Sequence, residues 1–343
     1  MNIFKIIENR TFIIAEAGVN HNGSLQLAKK LVDAAKDAGA DAVKFQTFRA
    51  DNLVTQSAKK AEYQEKNASE GESQYEMLKK LELTKDEFST LFDYTKNKGM
   101  IFLSSPFDKA SVDLLDSLGV NAFKIASGEI TNIPLLCYVA TKGKPIILST
   151  GMSMLDEVEA AVNILRNVGA HEIVLLHCVS NYPALIAETN LRAITTLKQA
   201  FKVPVGFSDH TIGITATVAA IALGACVIEK HFTLDRSLPG PDHQASLEPE
   251  EMMELVKTIR AVEQALGNGI KKPTPSEEVM KKVARRSIVA GEDISAGTII
   301  TASMLDLKRP GTGLEPQQLN NVIGRKANKA IKRNELITFE IIS

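Results

Sequence analysis

Eight short apolar, β-branched runs recur along this chain of 343 residues, and nearly every one ends in a side chain that can do chemistry. Residues 12–18 (FIIAEAG) carry Glu16, and residues 42–48 (AVKFQTF) carry Lys44 and Gln46. Residues 101–107 (IFLSSPF) end in Ser104-Ser105-Pro106, and residues 122–129 (AFKIASGE) carry Lys124, Ser127 and Glu129. Residues 145–151 (PIILSTG) end in Ser149-Thr150-Gly151, and residues 173–180 (IVLLHCVS) in His177 and Ser180. Residues 203–210 (VPVGFSDH) end in Ser208-Asp209-His210, and residues 227–233 (VIEKHFT) carry Glu229, Lys230 and His231. A core strand stays apolar throughout. Polar strand ends, repeated this often, read as one site at the C-terminal mouth of a closed barrel.

Helical patterns alternate with these runs. In residues 24–38, Leu25, Ala28, Leu31, Val32 and Ala35 fall on one face, and Gly39 follows as a stop. Further helices are expected at 86–98, 109–118, 135–141, 155–168, 191–201, 214–223 and 249–266. Strand–helix–strand units with short turns imply parallel pairing and right-handed crossovers. Eight of them predict an α/β fold, a (β/α)8 TIM barrel over residues 1–267. The polar stretch 49–84 is a long insertion after the second strand, expected on the mouth side as a partly ordered lid or rim. Residues 268–283, with two prolines, read as a linker. Residues 284–343 switch to short strands and turns, a small β-rich domain near the lower size limit for independent folding.

Composition narrows the function class. Hydrophobic residues make up 44% and charged residues 24%, as in ordinary soluble proteins, and the net charge of −1 gives no electrostatic case for nucleic acid or a membrane surface as partner. No apolar run reaches the ~18 residues of a membrane span, and the N-terminal segment lacks a secretory leader pattern. Cys137, Cys178 and Cys226 have no metal-type spacing and read as reduced thiols of a cytoplasmic protein.

His210 and His231 end the seventh and eighth strands, which lie about 5 Å apart in a parallel sheet. Two imidazoles at one height can share a divalent metal, with Glu16 next door once the barrel closes; Mn²⁺, Mg²⁺, Co²⁺ and Zn²⁺ all suit such a set. A lone histidine would read as a satisfied core group; the pair at adjacent strand ends favours the metal. Lys44, Lys124 and Lys230, with hydroxyls at Ser105, Ser127 and Ser208, look like a cradle for phosphate and carboxylate, unless one lysine, Lys230 before the others, points outward or neutralises a structural Glu. By alternation Glu229 and His231 share the luminal face while Lys230 takes the other. Ser127 would alternate away unless its strand has already ended. His21, after the first strand, lines the pocket or merely belongs to a turn and helix entry; both readings stay open. His177 reads as core packing. Asp242, in the rigid Pro239–His243 segment, is placed to meet a substrate. Arg309 reads from the residues alone as an exposed turn arginine.

Taken together, AEAGVNHNGS, AVKFQTF, FLSSPFD, FKIASGEI, ILSTGM, LHCVSNYP, VGFSDHT, GACVIEKHFTLD, PGPDHQASLEP, KRPGTG and IGRKA resemble the sialic acid synthase family: bacterial N-acetylneuraminate synthases and their legionaminic and pseudaminic acid relatives. The stretches run in order along nearly the whole chain. The resemblance implies a barrel followed by an antifreeze-like (SAF) domain, in a domain-swapped homodimer whose small domain caps the partner's barrel. It implies condensation of phosphoenolpyruvate with an N-acetylated hexosamine and water, releasing phosphate. By motif, His210 and His231 would bind the metal, usually Mn²⁺ or Mg²⁺. Lys44, Ser105, Lys124, Ser127, Ser180 and Ser208 would hold phosphoenolpyruvate. Glu16 and Glu129 would act near the reacting carbons, Gln46, Tyr182 and Asp242 would meet the sugar, and Arg309 from the other subunit would reach its N-acetyl end. Relatives often carry Thr where this chain has Ser105, and Cys-Thr where it has Cys178-Val179-Ser180.

The first reading is therefore an N-acetylneuraminate synthase acting on N-acetylmannosamine. The second keeps the chemistry but takes 2,4-diacetamido-2,4,6-trideoxymannose, giving legionaminic acid. A Schiff-base aldolase would be trapped by borohydride on Lys124. A non-enzymatic sugar-binding protein would bind through residues 284–343 alone and release no phosphate.

Overall fold

A computed structural model describes residues 3–61 and 72–343. The chain divides into two compact units, Met1–Gly267 and Asn268–Ser343.

In the first unit eight parallel strands form one sheet: β1 (Phe12–Gly18), β2 (Ala42–Thr47), β3 (Ile101–Pro106), β4 (Phe123–Ile125), β5 (Ile146–Ser149), β6 (Ile173–Cys178), β7 (Val205–Asp209) and β8 (Val227–His231). Their order is β3-β2-β1-β8-β7-β6-β5-β4. β3 and β4 lie side by side without a hydrogen-bonded ladder, so the barrel closes at an unladdered seam. Helices follow the strands. Leu25–Asp37 starts at Ser24, whose hydroxyl accepts the Leu27 N–H, and Lys85–Asn97 starts with a Thr84/Glu87 capping box.

The period of two in each strand separates two cores. Outward residues such as Ile13, Ala15, Val43, Phe45, Phe102, Phe123, Leu148, Leu175, Phe207 and Ile228 pack under the helices. Inward residues Phe12, Ile14, Ala42, Ile101, Leu103, Ala122, Ile147, Val174, Leu176 and Val227 fill the lower lumen. Helix Ile3–Ile7, which the sequence pattern did not predict, packs against this lower layer through buried Ile3. Continuing the same inward series upward reaches Glu16, Lys44, Ser105, Lys124, Ser149, Cys178, Ser208, Glu229 and His231. The apolar lower rungs are a floor, and the top rung is the site.

Several strands end earlier than expected. β4 stops at Ile125 and a 3₁₀ turn takes Ser127–Glu129. Of the 49–84 insertion, helices Ala50–Leu53 and Gln74–Leu81 are described. Leu53, Met77, Leu78 and Leu81 pack with Val19, Phe48 and Phe107 at the mouth. The centre of the expected lid, residues 62–71, lies outside the described residues.

In the second unit, helix Pro275–Ala284 occupies the end of the expected linker. Strands β9 (Ser287–Ala290) and β10 (Leu305–Lys308) pair antiparallel, and isolated bridges such as Ile294 with Ile331 and Ala327 with Ile342 complete the β-rich texture. The unit has its own core of Ile288, Ile294, Ile300, Val322, Ile331, Ile337 and Ile342.

Candidate active site

A cavity of about 440 Å³ opens at the C-terminal ends of the strands. Its walls hold Glu16, Lys44, Gln46, Ser105, Lys124, Ser127, Ser180, Tyr182, Ser208, His210 and His231, together with Glu229 and Ser149. Strand register explains the convergence: Glu16 is level with Lys44 on one side and His231 on the other, Gln46 with Ser105, and Ser208 with Cys178 and Glu229.

Two ammonium groups and two carboxylates balance in the floor of the cavity. Lys44 Nζ lies 2.8 Å from Glu16 Oε2 and 3.7 Å from Glu229 Oε2, and Lys124 Nζ lies 3.5 Å from Glu229 Oε1. Hydroxyls complete the arrangement: Lys124 donates to Ser149 Oγ at 2.7 Å, Lys44 to Ser105 Oγ at 3.4 Å, and Ser208 to Glu229 Oε1 at 2.8 Å. Burial pushes the Glu16 carboxyl up to about 7 against the opposing pull of Lys44. Burial acts on Glu229 in the same sense, but Lys124, Lys44 and the Ser208 hydroxyl together hold it at about 2. Burial lowers Lys124, whereas for Lys44 the two carboxylates outweigh burial and raise it. The two acids, one rung apart, therefore differ in charge near neutrality.

His210 and His231 stand with ring centroids 5.4 Å apart, and Tyr182 lies over His210 at 4.2 Å and edge-on to His231 at 5.0 Å. Burial lowers His210 to about 4 and His231 well below its usual value, so both rings are neutral. His210 Nδ1 lies 2.6 Å from the Val179 carbonyl; donating there leaves the Nε2 lone pair facing Ser208. His231 Nδ1 is buried without a hydrogen-bond partner, 4.0 Å from Asp242 Oδ2. Two neutral imidazoles, one of them orphaned, beside a carboxylate fit a divalent metal. Among the described residues no three His, Cys, Asp or Glu side chains group as a complete ligand set. The remaining positions would fall to substrate and water, as at an open catalytic site.

Three expected residues are not in the cavity wall. Glu129 is turned away, with Oε2 accepting from Asn132 Nδ2 at 2.7 Å at the start of helix Ile133–Ala140. Asp242 is buried behind His231, where burial lifts its carboxyl to about 6. Arg309 belongs to the second unit and is exposed, with Nε donating to the Ala284 carbonyl at 2.9 Å. His21 is buried beside Phe45, its Nδ1 accepting the Gly23 N–H, and does not line the cavity. His177 faces outward, stacked on Phe207, with Nε2 2.7 Å from the Thr189 carbonyl.

Other contributors were not singled out from the sequence. Cys178 Sγ lines the cavity 3.1 Å from Ser127 Oγ, and Ala61, Gln74 and Phe107 reach it from the mouth loops. Asn20 donates to the Phe232 carbonyl and to Ser246 Oγ, while His243 bridges Thr233 and Asn22. These contacts hold the loop that carries Asp242. Gly240 in that loop has φ +151°, and a Cβ there would lie 2.8 Å from Asn22 Oδ1.

Comparison with known proteins places this geometry. Residues 31–271 match the NeuB family and residues 285–342 the SAF domain. N,N'-diacetyllegionaminic acid synthase of Legionella pneumophila is 51% identical over 335 residues, covering 96% of this chain and 94% of that protein. The protein of the same name from Campylobacter jejuni is 52% identical over 330 residues, covering 96% and 99%. Among solved structures, N-acetylneuraminic acid (sialic acid) synthetase of Leptospira borgpetersenii, in complex with citrate, superposes with a TM-score of 0.70 at 39% identity, over 79% of this chain and 90% of that one. The chain belongs to the NeuB family, carries an SAF domain after its barrel, and is an enzyme of the nonulosonic acid synthase type.

Proposed function

We propose that this enzyme condenses phosphoenolpyruvate with 2,4-diacetamido-2,4,6-trideoxymannose and water, releasing phosphate and giving N,N'-diacetyllegionaminic acid. The acceptor rests on the relatives: the two at 51% and 52% identity both carry that product in their names. They favour the second of the sequence-based readings over N-acetylmannosamine. The observation that carries the chemistry is the single cavity in which Lys44 and Lys124 stand beside the neutral pair His210 and His231.

Lys44 and Lys124 bind the phosphate and carboxylate, with the hydroxyls of Ser105, Ser127, Ser180 and Ser208 as further donors. An arriving polyanion competes with Glu16 and Glu229 for the two ammonium groups. Gln46 and Tyr182 face the sugar side, with Asp242 behind His231. Synthases of this family are generally metal-dependent, and His210 and His231 are the residues that would hold Mn²⁺ or Mg²⁺. The cation, when bound, supplies Lewis acidity to the open-chain aldehyde. The enol carbon of phosphoenolpyruvate forms the new bond to the aldehyde carbon, water adds to the resulting cationic carbon, and phosphate leaves with C–O cleavage. Glu16, able to hold a proton near neutrality, serves the oxygen that gains charge; Glu229 stays ionised and orients Lys124 and Lys44. Glu129 is assigned no step in this scheme, since it does not line the cavity and its Oε2 accepts from Asn132.

Phosphate release with Mn²⁺, the two acceptor sugars being run side by side, tests the reading. Turnover with the diacetamido sugar and little with N-acetylmannosamine is expected. The reverse preference would return the acceptor to N-acetylmannosamine, and no release with either would overturn the reaction.

A homodimer belongs to the same proposal, with Arg309 of the partner subunit reaching the acceptor. Met152, Met154, Leu185, Ile186 and Ile212 are exposed on the mouth loops after β5, β6 and β7, an apolar rim suited to a cap. Light scattering should give the mass of two chains; a fully active monomer would sink this part.

A further inference from the structure

Asp209 and Lys230 stand opposite each other in the β7–β8 register, one residue before His210 and one before His231. Both point away from the lumen and are essentially fully buried, at 0% and 1% exposure. Asp209 Oδ2 lies 3.1 Å from Lys230 Nζ and accepts the Thr217 hydroxyl at 2.7 Å. Asp209 Oδ1 accepts the Thr211 N–H at 2.8 Å and the Thr211 hydroxyl at 2.7 Å. Lys230 Nζ also donates to the Thr211 carbonyl. Thr211, the residue immediately after His210, is therefore held at both its N–H and its C=O, by a side chain of β7 and a side chain of β8. On the luminal face Ser208 binds Glu229 across the same two strands.

A packed apolar pair would fill this space at no desolvation cost and would hold the strands together equally well. What the charged pair adds is direction. Apart from the Thr217 hydroxyl, which anchors Asp209 to the following helix, its contacts join Asp209, Thr211 and Lys230, residues that adjoin the two imidazoles in the chain. Neither side chain reaches the cavity, so neither touches substrate.

We propose that Asp209 and Lys230, with Thr211 and Thr217, form a positioning clamp that fixes the spacing of the His210 and His231 rings and so sets the affinity of the two-histidine site for its divalent cation. The proposal rests on the reading of those histidines as the metal site.

The test is Mn²⁺ binding to the metal-free full-length protein, followed by the paramagnetic resonance signal of free Mn²⁺, with far-UV circular dichroism as the fold control. Lys230→Met should weaken Mn²⁺ binding about tenfold or more, the range seen when a metal ligand loses its orientation, while the dichroism spectrum is kept. If Lys230→Met does not fold, Asp209→Asn/Lys230→Met removes both charges and should show the same loss. Thr217→Val, which leaves the ion pair in place and removes one hydroxyl from Asp209, should cost about threefold, the scale of one hydrogen bond. Folded variants that bind Mn²⁺ within about twofold of the parent would overturn the clamp and leave a purely structural ion pair. A parent protein that binds Mn²⁺ no better than His210→Ala or His231→Ala would instead remove the metal site itself, and the clamp with it.

Discussion

Glu16 shows how a single residue takes its role from depth. Its carboxyl sits one rung above an apolar floor and reaches about 7 because burial outweighs Lys44. A carboxyl raised in the fold above its unfolded value of about 4.5 favours the folded state most when protonated. That contribution is complete below the unfolded value and is lost as pH rises towards 7. Glu16→Gln should therefore gain stability relative to the parent between about pH 5 and about pH 8. Urea midpoints of both proteins at the two pH values check this; a difference that does not change with pH would mean that Glu16 is charged throughout. The luminal direction of Glu229 and His231 was legible from alternation, and the residue types of Glu16 and Lys44 from the strand ends. Their protonation states were not, because these depend on which charges other strands bring within a few ångströms.

At the scale of the element, the strand ends decide which side chains enter the cavity. Alternation alone turned Ser127 away from Lys124's face, and it lines the cavity only because β4 stops at Ile125. The turn after β5 is equally specific. Gly151 N–H donates to Ser127 Oγ at 3.0 Å, and a Cβ on Gly151 would lie 2.3 Å from Ser180 Oγ and 2.9 Å from both Cys178 Sγ and Ser127 Oγ. Gly151→Ala should cost about 1–3 kcal/mol as overpacking and raise the KM for phosphoenolpyruvate about tenfold by displacing those groups. Steady-state kinetics beside a melting curve would separate the two effects, and an unchanged KM would remove Ser127 and Ser180 from the anion site. Helix positions came through well from the sequence because their apolar faces repeat over three or four turns. Strand ends did not, since one residue of extension flips a side chain to the other face. Glu129 is such a case: the same early turn that brings Ser127 inward carries Glu129 to Asn132.

The whole molecule consists of two units with separate cores, joined through residues 268–274, all of which are exposed. Brief trypsin treatment should cut after Lys271, the bond after Lys272 being blocked by Pro273, and leave a barrel that still binds Mn²⁺, while turnover falls with the loss of Arg309. Mass spectrometry and the binding assay check this, and full turnover by the barrel fragment would end the role given to Arg309. The eightfold strand–helix alternation made the barrel legible before any coordinates. The insertion at 49–84 was legible as a departure from that rhythm. Its packing was not, because Leu53, Met77 and Leu81 find Val19, Phe48 and Phe107 only once three strands are assembled.

The missing ladder between β3 and β4 has a consequence for motion. Every other neighbouring pair in the barrel is stitched by backbone hydrogen bonds, so the cylinder behaves as a split ring whose gap runs between Ser105 on one lip and Lys124 on the other. On the proposed function, an anion gripped by both lips would act as a rivet across that gap, and substrate would stiffen the scaffold as well as fill it. Amide hydrogen exchange along β3 and β4 should slow when phosphoenolpyruvate binds, more than along β6 and β7, where the ring is already sewn shut. Equal slowing all round would show a barrel that was never split.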